Sequence, residues 1–447
     1  MSTALSDCFD IAEPQAGPVP PTRSRPASRL SVRPSRVLFL HQNFPAQFVH
    51  VAQALQQDGR HELLALVPER NRRPSLVATR TYAFDSAQAH CPVHPAREYV
   101  RCVAQGAAAA EAMRRMRAEG FTPDLVIAHG GWGEALFVRD VWPRARVIQH
   151  AEFYHAAEGA DVGFDPEFPA AGFPVKLQIR TRNAVMAQAL LDADRAVAPT
   201  RWQASRFPPE LRPKIAVVHE GIDTDLARPD SAASVTLDRQ NVVLRVGDKV
   251  VTYVARHLEP YRGYHVFMRA LPAIFARCPD ARVVIVGGDG AAYGPPPRGT
   301  TWRRRFLDEV RERLPMDRVH FVGQVPHTLF MRLMQVSAAH VYLTYPFVLS
   351  WSMLEAMSTG ALVVGSRTAP VQEVIEDGRN GVLRDFFDAD GIADAVAAAL
   401  LDPARFEPLR AAARRTIVDR FDLRRVCLPA WLDLVHDTLE AGARGGI

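Results

Sequence analysis

The stretch VVTYVARHLEPYRGYH, residues 250 to 265, opens on a continuous apolar run, turns through Glu-Pro, and passes Gly263 into a segment with helical spacing. A short apolar run, a loop and a helix form the repeating unit of a parallel sheet covered on both faces. Reading forward, the unit recurs in ARVVIVGG (281–288), RVHFVGQV (318–325), AAHVYLTYP (338–346) and ALVVGS (361–366). Helical segments at 264–277, 302–313, 327–336 and 351–359 separate these strands, and another follows Ala369. Reading backward, RVLFL (36–40), ELLALVP (62–68), PDLVIAH (123–129), ARVIQH (145–150), DRAVAPT (194–200) and KIAVVHEG (214–221) show the same texture, with VAQGAAAAEAMRRMRAEG as one intervening helix. TDLARPDSAASVTLDRQNVVLRVGD (224–248) breaks the rhythm with Pro, Ser and charged residues.

The expected organisation is α/β: a Pro- and Arg-rich tail over 1–35, a Rossmann-like domain over 36–225, a linker over 226–248, a second such domain over 249–420, and a final helix within 421–447. Two doubly wound sheets facing one another put their strand ends at a shared cleft, where ligands bind in such folds. The length of 447 residues suits two or three domains, and 48% hydrophobic with 23% charged residues reads as soluble and globular. No run of about 18 apolar residues exists to span a membrane. MSTALSDCFD lacks the basic-then-apolar order of a signal peptide. The five scattered cysteines predict free thiols in a reducing cytoplasm, with neither a disulfide framework nor a zinc cluster. Residues 11 to 35 carry too little apolar bulk to offset the entropy of ordering and are expected to be disordered. A net charge of +5 suits anionic ligands or a lipid surface as readily as nucleic acid.

Two clusters bear on chemistry. VVIVGGDG (283–290) suggests a dinucleotide site only weakly, since it lacks the full G-x-G-x-x-G order, a helix opening directly from it and an acidic residue about 20 positions on. A Gly-rich turn leaving a buried strand is the simpler reading. ARHLEPYRGYH (255–265) offers Arg256 and Arg262 at a strand end, and a guanidinium fork suits phosphate oxygens. The plain alternative is pairing with a surface carboxylate such as Glu259.

ARHLEPYRG resembles the Gly-Arg…Lys-Gly diphosphate motif of the retaining, GT-B-fold glycosyltransferases of family four, with Ala255 for Gly and Arg262 for Lys. VVHEGIDTDLARP (217–229) resembles the segment at that family's domain junction, with His219 and Glu220 replacing Pro and Asn. FVGQVPHTLFMRLMQVSAAHVYL (321–343), which holds Val325, looks like its nucleotide-base segment. WSMLEAMSTGALVVGSRTAPVQEVIEDGRNGVL (351–383) is similar to its Leu-Glu-Ala-Met…Glu-Val-Ile…Gly-x-x-Gly run. The likeness covers residues 36 to 440, more sharply in the second half.

The resemblance implies a metal-independent transferase with no cofactor, moving a sugar from a nucleotide-diphosphate sugar, with UDP or GDP as carrier, to a hydroxyl acceptor. Arg256 and Arg262 are then expected at the diphosphate. Ser350 is a good N-cap, so the amides of Ser350, Trp351 and Ser352 are expected to face a phosphate. Glu355, one turn on, is expected at the ribose hydroxyls, its alternative being a solvated helix residue. Where relatives carry another Glu, eight positions earlier, this chain has Phe347, which leaves the transferred sugar open. Glu373 stands at a third acidic position of the pattern, with a structural role as the alternative.

In the first half, LHQNFPAQF (40–48) lies where the family has a Gly-rich loop touching the diphosphate. It contains no glycine, and Gln47 at the helix start is the contact candidate. IQHAEFYH (148–155) resembles the family's sugar-site His segment and gives His150 a positioning or proton-handling role, with Glu152 beside it. AHGGWGE (128–134) sets His129 beside glycines and suits either the acceptor side or a plain turn. EAMRRMRAEG (111–120) and WRRRFLDEVRERL (302–314) read as solvated faces, the first with adsorption to anionic lipid as a second expectation. The final helix, RRVCLPAWLDLVHDTLE (424–440), is implied to pack across the first domain. The expected setting is polysaccharide or lipid-linked glycan assembly in the cytoplasm, at or near the inner face of the membrane, with no nucleic-acid partner. The competing readings are a nicotinamide oxidoreductase or nucleotide-sugar epimerase, and a sugar-nucleotide-binding protein without catalysis.

Overall fold

The computed structural model describes residues 34–169, 172–237, 242–294 and 296–444. All but the last two residues of the tail expected over 1–35 lie outside them. Two compact units emerge, one running to Glu220 and resuming at Cys427, the other spanning Gly221–Val426.

The first unit carries a seven-stranded sheet of β1 (Ser35–Leu40), β2 (His61–Pro68), β3 (Ala78–Tyr82), β4 (Leu125–His129), β5 (Arg146–His150), β6 (Arg195–Ala198) and β7 (Ile215–Val217), in the order β3-β2-β1-β4-β5-β6-β7. All its pairings are parallel. Val37, Leu38, Phe39 and Leu40 are fully buried, as a central strand with helices on both faces requires. β3, ATRTY, pairs at the sheet edge and exposes every residue but Tyr82, so no apolar run marks it in the sequence. The helix Leu428–Arg444 belongs to this unit: Trp431 packs edge-on at 6.3 Å from Phe48, and Arg146 Nη2 donates to the Ala441 carbonyl at 3.1 Å.

The second unit opens with an antiparallel hairpin, β8 (Ser234–Leu237) and β9 (Val242–Arg245), where the sequence reads as a linker. Its alternate residues Val235, Leu237 and Leu244 join one core with Phe330, Met331 and Met334. Polar residues between them disguise a hairpin buried on one face. The main sheet comprises β10 (Val250–His257), β11 (Arg282–Gly288), β12 (Val319–Gly323), β13 (Ala339–Tyr342), β14 (Leu362–Ser366) and β15 (Val382–Arg384), all parallel, in the order β12-β11-β10-β13-β14-β15. Each sheet reverses its strand order once, between β1 and β4 and between β10 and β13. Ligands of doubly wound sheets bind outside the strand ends at that reversal.

Of the glycines in AHGGWGE, Gly133 has a backbone reason. Its φ is +105°, and a Cβ there would lie 2.0 Å from the Cys102 carbonyl oxygen on the helix Arg97–Ala118. Close backbone packing, and not a ligand, accounts for this position. Gly133→Ala is expected to lower stability by roughly 2–4 kcal/mol through strain and displaced packing; an unchanged urea midpoint would contradict it.

Candidate active site

In the second unit, β10 ends in Arg256 and His257, and the chain turns at Gly263 (φ 70°) into the helix Tyr264–Arg277. A Cβ at Gly263 would sit 2.3 Å from Leu343 Cβ, so glycine lets this turn press onto the chain leaving β13. Arg262 is thereby fixed: its Nη1 donates to Thr344 Oγ1 at 2.8 Å, the Val348 carbonyl at 3.0 Å and the Tyr342 hydroxyl at 3.4 Å. Its guanidinium carbon lies 5.3 Å from the Tyr293 ring centre and 5.8 Å from that of Phe347. Arg256 differs. It is half-buried, and its Nε and Nη1 are shielded from solvent with no hydrogen-bond partner among the described residues. The two arginines that look equivalent in sequence are one strut and one set of available donors.

Glu259, the carboxylate weighed as their surface partner, is buried and accepts from the amides of Ala292 at 3.1 Å and Tyr293 at 3.0 Å. Burial pushes its pKa up to about 7, against the pull of those amides and of Arg262 and Arg256. The folded chain therefore holds this proton more tightly than the unfolded chain does. Stability should fall as pH rises from 4.5 to about 7, by about 3 kcal/mol, and level off above. Glu259→Gln removes that slope; denaturant unfolding at a series of pH values checks it, and parallel slopes in the two proteins would contradict it.

The helix Trp351–Ser358 starts as expected, Ser350 capping it with its side chain. The amides behave differently from expectation. Ser350 N donates to the Tyr342 hydroxyl at 2.8 Å and Ser352 N to Ser350 Oγ at 3.3 Å, so both are taken up inside the loop. Trp351 is half-buried and packs on the core. Glu355 is 8% exposed, which excludes the solvated-residue reading, and its Oε1 lies 2.7 Å from His327 Nε2 at the start of the helix His327–Val336. Sequence reasoning missed His327, because no spacing rule links it to a residue 28 positions on. Val325, just before that helix, is half-buried against the core. Phe347 closes an aromatic group with Tyr261 at 5.3 Å and Tyr293 at 5.1 Å, on the same side as the Arg262 guanidinium. Glu373 stands apart: it lines a groove of about 730 Å³ with Arg367, Arg415 and Arg420, to which Arg256, Ser350 and Glu355 do not contribute.

In the first unit, His41 follows β1, His129 ends β4 and His150 ends β5, so register alone stacks them. His129 and His150 lie 5.3 Å apart with rings 19° from parallel, and His41 meets His129 edge-on at 5.3 Å. Burial first, then its imidazole neighbours and Arg73, hold His41 well below its ordinary pKa. Gln47 is buried and its Nε2 donates to Glu152 Oε1 at 3.3 Å, while its Oε1 has no hydrogen-bond partner among the described residues. His150 is 1% exposed, with Nε2 bonded to Glu220 Oε1 at 2.9 Å. Burial alone would raise the Glu220 pKa, but this bond and the charges of His219 and His150 bring it down to about 2. The geometry is that of a buried pair that orders the strand ends. His150→Leu would leave the Glu220 carboxylate buried without that partner and should lower stability at neutral pH by about 3–5 kcal/mol, read by denaturant unfolding; a loss below about 1 kcal/mol would contradict the pairing.

Two Rossmann-like parallel sheets, each with one reversal of strand order, define a doubly wound α/β class. Residues 59–227 match the Glycosyl transferase family 4 group and residues 234–416 match Glycosyl transferases group 1. The chain belongs to these glycosyl transferases, and its fold is GT-B. The GDP-mannose-dependent alpha-(1-6)-phosphatidylinositol monomannoside mannosyltransferase of Mycolicibacterium smegmatis is 29% identical over 251 residues, 52% of this chain and 60% of its own length. The D-inositol 3-phosphate glycosyltransferase of Corynebacterium glutamicum is 29% identical over 194 residues, 42% of this chain and 44% of its own length. The chain thus spans about half the length of the curated relatives it matches. Among solved structures, sucrose-phosphate synthase from Thermosynechococcus elongatus superposes with a TM-score of 0.65 at 18% identity, covering 91% of this chain and 99% of that one. Anabaena HepE in complex with UDP gives 0.61 at 15%, covering 91% and 100%.

Proposed function

We propose that the chain moves a sugar from a nucleotide-diphosphate sugar to a hydroxyl acceptor, with retention at the anomeric carbon. The observation that carries this reading is Arg256, whose Nε and Nη1 are withheld from water and left without a partner at the end of β10. Withholding guanidinium donors from water costs free energy that a bound diphosphate offsets, and the same donors meet the charge that grows on the leaving phosphate. In the proposed step the bond from the anomeric carbon to the phosphate oxygen breaks and its electron pair stays on the phosphate. The acceptor oxygen bonds to the anomeric carbon from the same face, and its proton passes to the departing phosphate. No carboxylate pair of the glycosidase kind is needed.

The remaining roles are part of the same proposal. Arg262 holds the loop after β13 in place. Glu355, oriented through Oε1 by His327, offers Oε2 to the ribose hydroxyls. Val325 lies toward the base, the Ser350 to Ser352 turn frames the phosphate, and Phe347 shapes the pocket for the transferred sugar. In the first unit, Gln47, His150 and Glu152 position the strand ends. The donor is proposed to be a UDP- or GDP-sugar, since relatives are named for GDP-mannose and a fold neighbour was solved with UDP. A lipid-linked or polysaccharide hydroxyl is the proposed acceptor, the Mycolicibacterium relative being named for a phosphatidylinositol mannoside. The proposed setting is cytoplasmic and peripheral to the membrane. Among the described residues no helix is long and apolar enough to cross one. The exposed Arg114 and Arg115 of the first-unit helix pair with Glu111, which weakens the case for that helix as the lipid contact.

Calorimetry with UDP, GDP and ADP, followed by turnover of a donor panel, tests the reading. Arg256→Ala should lower kcat/KM by about 100- to 1,000-fold, and Glu355→Gln should weaken nucleotide binding by about 10-fold or more. Phe347→Glu should mainly change which donor is used. Nucleotide binding with no turnover of any donor would contradict the enzyme, and unchanged affinity in Glu355→Gln would contradict the ribose contact.

A further inference from the structure

Three side chains of metal-binding type converge in the first unit, away from the strand ends described above. Asp58 closes the helix Val49–Asp58, the left-handed Gly59 turns the chain, and His61 opens β2; His436 comes from the helix Leu428–Arg444. One ligand atom from each lies within 4.8 Å of the other two. Asp58 Oδ2 and His61 Nε2 are 3.8 Å apart, and the two imidazole rings are 6.1 Å apart and 24° from parallel. The His61 side chain is 7% exposed, and neither of its ring nitrogens has a hydrogen-bond partner among the described residues. Nε2 of His436 is likewise buried and without a hydrogen-bond partner among the described residues. Buried imidazole nitrogens without hydrogen bonds cost free energy that a cation bound between them and the carboxylate would offset.

We propose that Asp58, His61 and His436 bind a borderline divalent cation of the Zn²⁺ type, which ties the C-terminal helix to the sheet of the first unit. Two imidazoles and one carboxylate are a suitable set for Zn²⁺, with water in the fourth position. Metal–ligand bonds of about 2.0–2.2 Å place tetrahedral ligand atoms about 3.3 Å apart, so the three groups need to close by up to about 1.5 Å. Side-chain rotation supplies that. The exposed Arg60 holds both Asp58 oxygens, Nε donating to Oδ1 at 2.6 Å and Nη2 lying 2.6 Å from Oδ2; on metal binding it yields one oxygen to the ion and keeps the other as an outer partner that orients the carboxylate. The site joins residues far apart in sequence, and binding that needs the folded arrangement stabilises it by mass action. It stands outside the donor-site reading and does not rest on it.

The test uses the full chain, stripped with a chelator and titrated with Zn²⁺ alone, by calorimetry and by thermal unfolding. One Zn²⁺ per chain should bind, and Tm should rise with Zn²⁺ concentration. His436→Gln and the near-isosteric Asp58→Asn should each weaken binding by about 10-fold or more and remove the rise in Tm. If His436→Gln does not fold, Asp58→Asn carries the test alone. No rise in the wild type overturns the proposal. An equal rise in the variants also overturns it, because binding then belongs to other members of the chain's 15 histidines.

Discussion

The pairing of β10 with β13 is the constraint from which the second unit's site follows. Val251, Thr252 and Tyr253 register with Ala339, His340 and Val341, while β11 and β14 flank the pair on opposite sides. Parallel crossovers are right-handed, so the connections leaving β10 and β13 travel in opposite directions and leave the strand ends uncovered between them. Into that gap the chain delivers Arg256 from one strand and the capped helix bearing Glu355 from beyond the other. Arg262 braces the gap by bonding from the β10 loop to Thr344 and Val348. Tyr342 accepts the Ser350 amide and fixes the start of the helix. One guanidinium is bonded through Nη1 as a brace and the other keeps its donors, which is a division of labour that bare charge counting does not reveal.

The first unit repeats the topology with a different outcome. At its strand ends, between β1, β4 and β5, lies a buried polar layer whose members bind each other: His150 with Glu220, Gln47 with Glu152, and the Asn43 amide with His41 Nδ1. The pairing is partial: His41 Nε2, Gln47 Oε1 and His150 Nδ1 are buried with no hydrogen-bond partner among the described residues. Ala46 adopts a φ of 39°, in the left-handed region that favours glycine, within the loop where the resemblance placed a Gly-rich turn. The backbone bend is present without the residue that usually makes it.

Much of this was legible in the residues. Central strands such as RVLFL and ARVVIVGG announce themselves because burial on both faces demands an unbroken apolar run, and the Ser350 cap and the helix 264–277 follow from local rules. The strand β3 was hidden because it lies at the sheet edge with all but Tyr82 exposed, and the hairpin β8–β9 because a strand buried on one face alternates with polar residues. Within the site, residue types were readable and partnerships were not. Nothing local tells Arg256 from Arg262, since the difference lies in Thr344 and Val348 across the sheet. The Glu355–His327 contact and the burial of Glu259 under Tyr293 are tertiary in the same way. The tie between His436 and the Asp58–His61 turn links opposite ends of the chain and leaves no local pattern.

The central claim is that Arg256 keeps its donors for a diphosphate while Arg262 holds the loop. A crystal structure of the full chain with GDP or UDP tests it most directly. The account predicts diphosphate oxygens within hydrogen-bond distance of Arg256 Nε and Nη1, ribose hydroxyls on Glu355 Oε2, and Arg262 still bonded to Thr344 and Val348. A diphosphate held elsewhere in the chain, with Arg256 untouched, would contradict it.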